Sequence, residues 1–350
     1  MVKEYGYEYD AALNERIWNE TEGKVTTEKL WGAHCLRSGR DALKAIAREY
    51  EPSIVMLPAL ACESMVFPFV QYGHKVEYYR LKPDYTIDLD SFDLKGEKIL
   101  FLYMDFFGRK VISDDDLNKL KAKGNVVLIE DRTHNLIWNR TSNMTPDYSI
   151  ASLRKWIPIP DGGLLWGNIS KTLTADTTFS KIRLRAQGMR HDYLACGDEK
   201  IKTEYRKIFS TVSDIMANDG PCAMSAYSYE LVKQTDWNSI RLTRRTNART
   251  LTSILQTSPF VKLIQNETDQ SDLYVAFIVS RRDEIQKRLS SIGIFNTIIW
   301  PLTEEQKQVC QVARFTEENM LAAPCDQRYT EEDMEYIGAE MVRVIADVNR

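Results

Sequence analysis

Three short stretches of this 350-residue sequence hold side chains that could do chemistry. In "ASLRKWIPIPDGG", residues 151–163, Lys155 stands where an apolar run ends and two prolines and a Gly-Gly begin. A lysine there ordinarily marks a solvated strand end, because its charge is costly to bury. A partly desolvated lysine, however, holds more of the free amine that attacks carbonyls. In "NVVLIEDRTHN", Asp131 follows a fully apolar run and His134 lies three residues on. Asp131 could hold a cationic ring nitrogen or simply cap a helix, and His134 could contact a ring oxygen or be a satisfied structural imidazole. In "LRSGRDALKAIAREY", Ser38 precedes a helix whose apolar face is Ala42, Leu43, Ile46, Ala47 and Tyr50. Ser38 is a good N-cap, and Gly39 lets a ligand approach the backbone. The free N–H groups at that end suit a phosphate, although an ordinary capped helix has the same pattern.

These residues need elements that bring them together. From about residue 34 to 167, apolar runs alternate with helical or loop segments. The runs "SIVMLP" (53–58), "KVEYYRL" (75–81), "KILFLYM" (98–104), "NVVLIE" (125–130), "YSIASL" (148–153) and "GLLWG" (163–167) each fit a buried strand. Several are apolar throughout, as where helices cover both faces of a sheet. Between them, "SGRDALKAIAREY" and "DDDLNKLKAKG" read as helices, the second with acids in its first turn and a lysine-rich end closing on Gly124. This rhythm predicts a mostly parallel α/β sheet, whose ligands bind beyond the carboxyl ends of the strands. All three candidate stretches fall at such ends, and Ser149 and Ser152 lie on the strand that leads to Lys155.

Residues from about 175 to 255 read as largely helical. The last hundred change character: a strand in "DLYVAFIVS", a helix in "RRDEIQKRLSSIG", a strand in "IFNTIIW" and a closing helix from Thr330. Met334, Ile337, Met341, Ile345 and Val348 mark that helix's apolar face, and Thr330 with Asp333 forms a capping box. The expected division is a large domain over 1–250, whose N-terminal segment packs on the other, and a small C-terminal α/β domain over 251–350.

Apolar residues make up 43% of the chain and charged residues 27%, ample for a sizeable core. A net charge of -4 argues against nucleic acid or an anionic membrane as partner. The basic cluster "RLTRRTNAR" (241–249) reads as a solvated helix face. Six cysteines without a CxxC pair read as reduced thiols, four scattered histidines offer no zinc spacing, and no run is long enough to span a membrane. A soluble cytoplasmic protein is expected.

In chain order the three stretches give a phosphate cradle, an acid for a pyridinium nitrogen and a lysine amine. Pyridoxal 5'-phosphate (PLP) needs all three, since its ring draws electrons only while its nitrogen is protonated. The sequence here resembles the DegT/StrS family of PLP-dependent aminotransferases, which act on nucleotide-linked keto-sugars. "VMLPALACESMVFPFVQYGHKVEYYRL" is similar to that family's strand–Pro–helix block, "DFFGR" (105–109) to its loop ending in Gly, and "IEDRTHN" to its acidic motif. "ASLRKWIPIPDGG" resembles the lysine segment and "LAAPCDQRYTEEDMEYI" the closing block. The likeness runs from about residue 30 to 345 and is weakest over 170–260.

The resemblance implies the fold of type I aspartate aminotransferases: a large PLP-binding domain with a mostly parallel seven-stranded sheet between helices, plus the small C-terminal α/β domain. It implies that Lys155 is catalytic and forms the Schiff base, and that Ser38, Gly39, Arg40, Cys62, Asp131, His134 and Ser152 surround the cofactor with it. Asp131 takes the pyridinium role, His134 the ring-oxygen role, and either Ser152, which is favoured, or Ser149 meets the phosphate. No metal is implied. The partners are a small-molecule amino donor (glutamate) and a keto-sugar acceptor, and the chain is expected to be a homodimer. Two departures stand out. Cys62 occupies the position where the family stacks an aromatic on the ring, and the family's "NyRm" segment has no clear match in "RLRAQGMRHDY". Family relatives that dehydrate sugars carry histidine in place of the lysine, so Lys155 ranks dehydration low. PLP-dependent lyase or aldolase chemistry on an amino acid, and a non-catalytic binding role on the same fold, stay open.

Overall fold

The computed structural model describes residues 2–94, 98–138, 144–264 and 272–350. Its centre is an eight-stranded sheet. From one edge the strands are Lys29–Leu30, Ala33–Leu36, Gly163–Trp166, Tyr148–Ser152, Val126–Asp131, Ile99–Met104, Ile54–Pro58 and Lys75–Tyr79. The last five pair in parallel, and the first three join them through antiparallel ladders. The six strands read from apolar runs are all present. The runs did not reveal the other two, Ala33–Leu36 and the two-residue edge strand Lys29–Leu30 paired to it, which bring the sheet to eight strands where seven were expected.

Every residue of Ile99–Met104, Val126–Asp131 and Tyr148–Ser152 is buried, which is why these runs lack a polar alternation. The register sets Met104 beside Asp131 and Asp131 beside Ile150, so the strands end at one level and their polar termini share one edge. The helix Gly39–Ala47 covers the Gly163–Trp166 and Tyr148–Ser152 strands. Ser38 caps it: the hydroxyl oxygen accepts from the Asp41 N–H at 3.1 Å.

A second, three-stranded antiparallel sheet is formed by Lys262–Leu263, Tyr274–Ile278 and Met320–Pro324. The closing helix Glu331–Asn349 buries Met334, Ile337, Met341, Ile345 and Val348 against it, capped by the expected Thr330–Asp333 box. Ala248, Leu251 and Leu255, from the helix Trp237–Leu255, join the same apolar cluster, as does Tyr5. Tyr5–Gly6 pairs in parallel with Ile294–Phe295.

Two sequence expectations need correction. "IFNTIIW" is a strand only at Ile294–Phe295, because its partner strand is just two residues long; Thr297 adds one bridge to Ala322, and the chain then runs irregularly to Trp300. The cluster at 241–249 is not a uniformly solvated face. Arg244 is 1% exposed and donates to Tyr9 Oη, Gln327 and the carbonyls of Trp156, Asp272 and Leu273. A guanidinium with that many acceptors meets the cost of leaving water.

Gly163 marks where helix and sheet meet. A Cβ there would lie 2.2 Å from the Ser38 carbonyl carbon and 2.7 Å from the Gly39 nitrogen. The strand thus approaches the helix N-terminus more closely than any side chain allows. At Gly39 a Cβ would meet nothing nearer than Ser152 Cβ at 3.5 Å, an ordinary contact. Gly163→Ala should therefore lower unfolding stability by about 1–3 kcal/mol or more, as overpacked sites do. Gly39→Ala should leave it within about 1 kcal/mol, since alanine also favours the helix. Thermal denaturation of the two variants distinguishes them, and equal melting temperatures would contradict the account.

Candidate active site

Beyond Ser152 the chain makes one tight 3₁₀ turn, Leu153–Lys155, that aims Lys155 into a cleft at the carboxyl ends of the parallel strands. The Leu153 N–H donates to the Gly162 carbonyl at 3.1 Å, and the Gly162 N–H to the Arg37 carbonyl at 2.7 Å, so Gly162 ties the lysine turn to the residue before Ser38. Trp156 holds the other side. It is fully buried, and its indole N–H donates to the Thr133 carbonyl at 2.9 Å.

The cleft encloses about 190 Å³ and opens to solvent. Gly39, Arg40, Cys62, Asp131, Ser152 and Lys155 all line it. Ser38 stands behind this wall with its hydroxyl committed to Asp41, to which it also donates at 2.5 Å. Ser149 is turned away: its hydroxyl donates to Glu130 at 2.9 Å. Of the two serines, Ser152 is the one on the cleft. Cys62 begins the helix Glu63–Gln71 without a side-chain cap, its Sγ 2.9 Å from Ser64 Oγ.

Asp131 is 6% exposed and accepts from the Thr133 N–H at 2.8 Å. Burial pushes its carboxyl above the ordinary range, while Thr133 and the Lys155 charge pull it back. A cation bound against Asp131 would complete that compensation. His134 is also buried, just behind the cleft, and its Nδ1 accepts from the Phe107 N–H at 3.2 Å. Burial first, and the Lys155 charge second, hold the imidazole well below its usual pKa. The neutral ring then carries its proton on Nε2.

Several cleft residues were not singled out by the sequence reading. Thr133 sits in the motif already quoted and bridges two strand ends, its Oγ1 accepting from the Ser152 N–H at 3.1 Å. Arg154 and Arg183 add positive charge, and Glu8 accepts from Arg183. Burial and the Arg183 charge push the Arg154 guanidinium down to about 9, still charged at neutral pH. Trp300 puts an aromatic face into the cleft, its ring centroid 5.9 Å from Lys155 Nζ and 6.0 Å from the His134 ring. Arg154 was adjacent to the chosen lysine. For Glu8, Arg183 and Trp300 no local signal existed.

No protein-family model and no curated protein sequence matches the chain. Solved structures do. Helicobacter pylori PseC, an aminotransferase involved in the biosynthesis of pseudoaminic acid, superposes with TM-score 0.68 at 14% identity, covering 99% of this chain and 100% of that one. The PLP form of Spr1654 from Streptococcus pneumoniae, a putative sugar aminotransferase, gives TM-score 0.67 at 14% identity over 99% and 100%. The E. coli GDP-4-keto-6-deoxy-D-mannose-3-dehydratase with bound hydrated PLP gives 0.63 at 15% identity over 98% and 100%. The chain has the α/β fold of these PLP-dependent sugar enzymes.

The buried His134 makes stability depend on pH. A base whose folded pKa is depressed binds protons more readily when unfolded, so its contribution is complete above pH ~6.5 and declines as pH falls below it. His34, also lowered by burial, adds in the same direction. Stability should therefore fall between pH ~6.5 and 5, and His134→Gln should flatten the fall. Urea denaturation of both proteins across that window would show this; parallel curves would mean that His134 is not held neutral.

Proposed function

We propose that this chain is a PLP-dependent aminotransferase that transfers an amino group from glutamate to a keto-sugar, carried on a nucleotide. One observation carries the reading. A single cleft has a capped helix N-terminus and guanidinium groups on one wall, a buried carboxylate beyond another strand end, and a half-buried lysine between them. This suits a flat ligand with an anionic phosphate at one end and a cationic ring nitrogen at the other. The likeness to sugar aminotransferases over nearly the whole chain supports it.

The residues present fit PLP. Gly39, the helix N–H groups and Ser152 would take the phosphate and Asp131 the pyridine nitrogen, while His134, the ring-oxygen residue of the resemblance, stands behind the cleft wall. Trp300 offers the aromatic surface that Cys62 lacks. Bound there, PLP supplies an electron sink for negative charge at the carbon bearing the amine. Lys155 Nζ takes the proton from that carbon and returns one, as general base and acid. Thr133, bonded to both Asp131 and Ser152, keeps the two binding ends at a fixed separation. Trp156 keeps the lysine turn against Thr133. On this reading residues 1–250 and 251–350 are the large and small domains, and two copies pair as a homodimer.

A second reading has its own observation, the match to a sugar dehydratase with bound hydrated PLP. Lys155 favours transfer, because the resemblance places histidine there in dehydrating relatives.

Visible absorbance of the purified protein with PLP tests both readings. A bound-cofactor band that glutamate bleaches and a keto acid restores, absent from Lys155→Ala, is expected. A band unchanged by glutamate would exclude glutamate as donor, and no band at all would remove the enzymatic reading.

A further inference from the structure

Arg154 precedes the lysine directly, and its side chain lacks the carboxylate partner that several other deeply placed guanidinium groups have. Arg37 is paired with Asp41, Arg190 with Glu4, Arg328 with Asp326, and Arg183 with Glu8. Among the described residues, Arg154 has no carboxylate within ion-pair distance, and its buried Nε has no hydrogen-bond partner. Its guanidinium carbon lies 5.5 Å from the centre of the Phe179 ring. A charge desolvated among ring carbons and a second guanidinium is unfavourable unless something anionic completes the site.

The place of Arg154 says which anion. Phe179 also faces Arg37, whose guanidinium carbon is 5.8 Å away and which binds Asp41 in the first turn of the helix Gly39–Ala47. Arg154 is therefore on the same side of the cleft as that helix N-terminus, and it lines the cleft with Gly39, Arg40 and Ser152. Helix N–H groups, a serine hydroxyl and guanidinium donors converging on one wall suit a tetrahedral dianion with several acceptor oxygens. We infer that Arg154 is the counter-ion of a phosphate monoester held at this end of the cleft, where it also draws the turn carrying Lys155 toward the ligand. This rests on the PLP reading for the ligand's identity, and on the geometry alone for its phosphate. The assignment makes Arg154 a binding residue that the family resemblance does not imply.

The test compares PLP with pyridoxal, which has the ring and aldehyde but no phosphate. Equilibrium binding to cofactor-free protein would be followed by absorbance for native protein, Arg154→Gln and Arg154→Lys, each first checked for native circular dichroism. Losing a charge-assisted contact should weaken PLP binding by about 10- to 100-fold in Arg154→Gln and less in Arg154→Lys, while pyridoxal binding stays within about two-fold. Equal weakening of PLP and pyridoxal, or none for either, would overturn the role. Inorganic phosphate provides the independent arm. It should raise the melting temperature of the native protein and not of Arg154→Gln. If the native protein binds neither PLP nor pyridoxal but keeps this Arg154-dependent phosphate effect, the cofactor reading fails and the phosphate site stands. If phosphate stabilises both proteins equally, the site assignment fails whatever PLP does.

Discussion

The candidate site depends on how one buried indole is held. Trp156 follows the lysine directly and ties one side of its turn to three distant parts of the chain, while the Leu153–Gly162 bond holds the other. Its N–H reaches the Thr133 carbonyl, and its own carbonyl accepts from Gln327 at 2.8 Å, Tyr9 at 3.1 Å and Arg244 at 3.3 Å. These donors come from the C-terminal region, the N-terminal segment and the helix Trp237–Leu255. The Arg244 guanidinium also lies 4.8 Å from the indole ring centre. A ring with no exposed surface cannot shift without opening a cavity and stranding polar groups at once, so the turn before it is kept in one conformation. The lysine itself needs no hydrogen bonds to be positioned. It remains available because its neighbour is not.

The electrostatics follow from the same arrangement. Strand registers bring Asp131 and Ser152 to one edge, and Thr133 bonds to both, so an acid and the wall at the helix N-terminus are held at a fixed separation. Desolvation then moves three groups there in the direction of neutrality: Asp131 upward, His134 downward, Arg154 downward. An acid and bases displaced toward their neutral forms in this way are relieved by a ligand that is itself dipolar. The chain as a whole is acidic, yet its cleft gathers arginines. The local field opposes the net charge, which is how a protein binds anions without becoming a general polyanion binder.

What could be read from the sequence divides by the range of the interaction. The buried strands were legible because parallel strands covered on both faces are apolar without interruption. Ile99–Met104 and Val126–Asp131 match their runs to within a residue. The closing helix was legible because its cap and its apolar face both repeat locally. Ala33–Leu36 was harder. His34 interrupts a four-residue run, and the strand exists because Gly163–Trp166 offers it a ladder. Arg244 was misread for a related reason. A basic helix segment has the same composition whether its guanidinium meets water or the Trp156 carbonyl. The wall residues Gly39, Arg40, Cys62, Asp131, Ser152 and Lys155 came from local motifs, and the fold gathers them in one cleft. Ser38 and His134 it sets one layer back, each bonded to a neighbour.

Trp300 shows where local reading ends and how the fold compensates. The resemblance locates a missing aromatic at Cys62, within one motif, and offers no replacement. The aromatic surface in the cleft, Trp300, comes from a segment with no regular structure beyond the two-residue strand at Ile294–Phe295. After the single Thr297–Ala322 bridge the chain runs on until Trp300 meets Phe106 at 6.4 Å and His134 at 6.0 Å. A strand that continued would have held those residues at the edge of its sheet. The short pairing with Tyr5–Gly6 therefore has a consequence far from its own position: it decides that the C-terminal region contributes an aromatic wall to a cleft built by the central sheet. That dependence also explains why the N-terminal segment is bound at several points, through Tyr5, Gly6 and Tyr9, rather than left to trail over the surface.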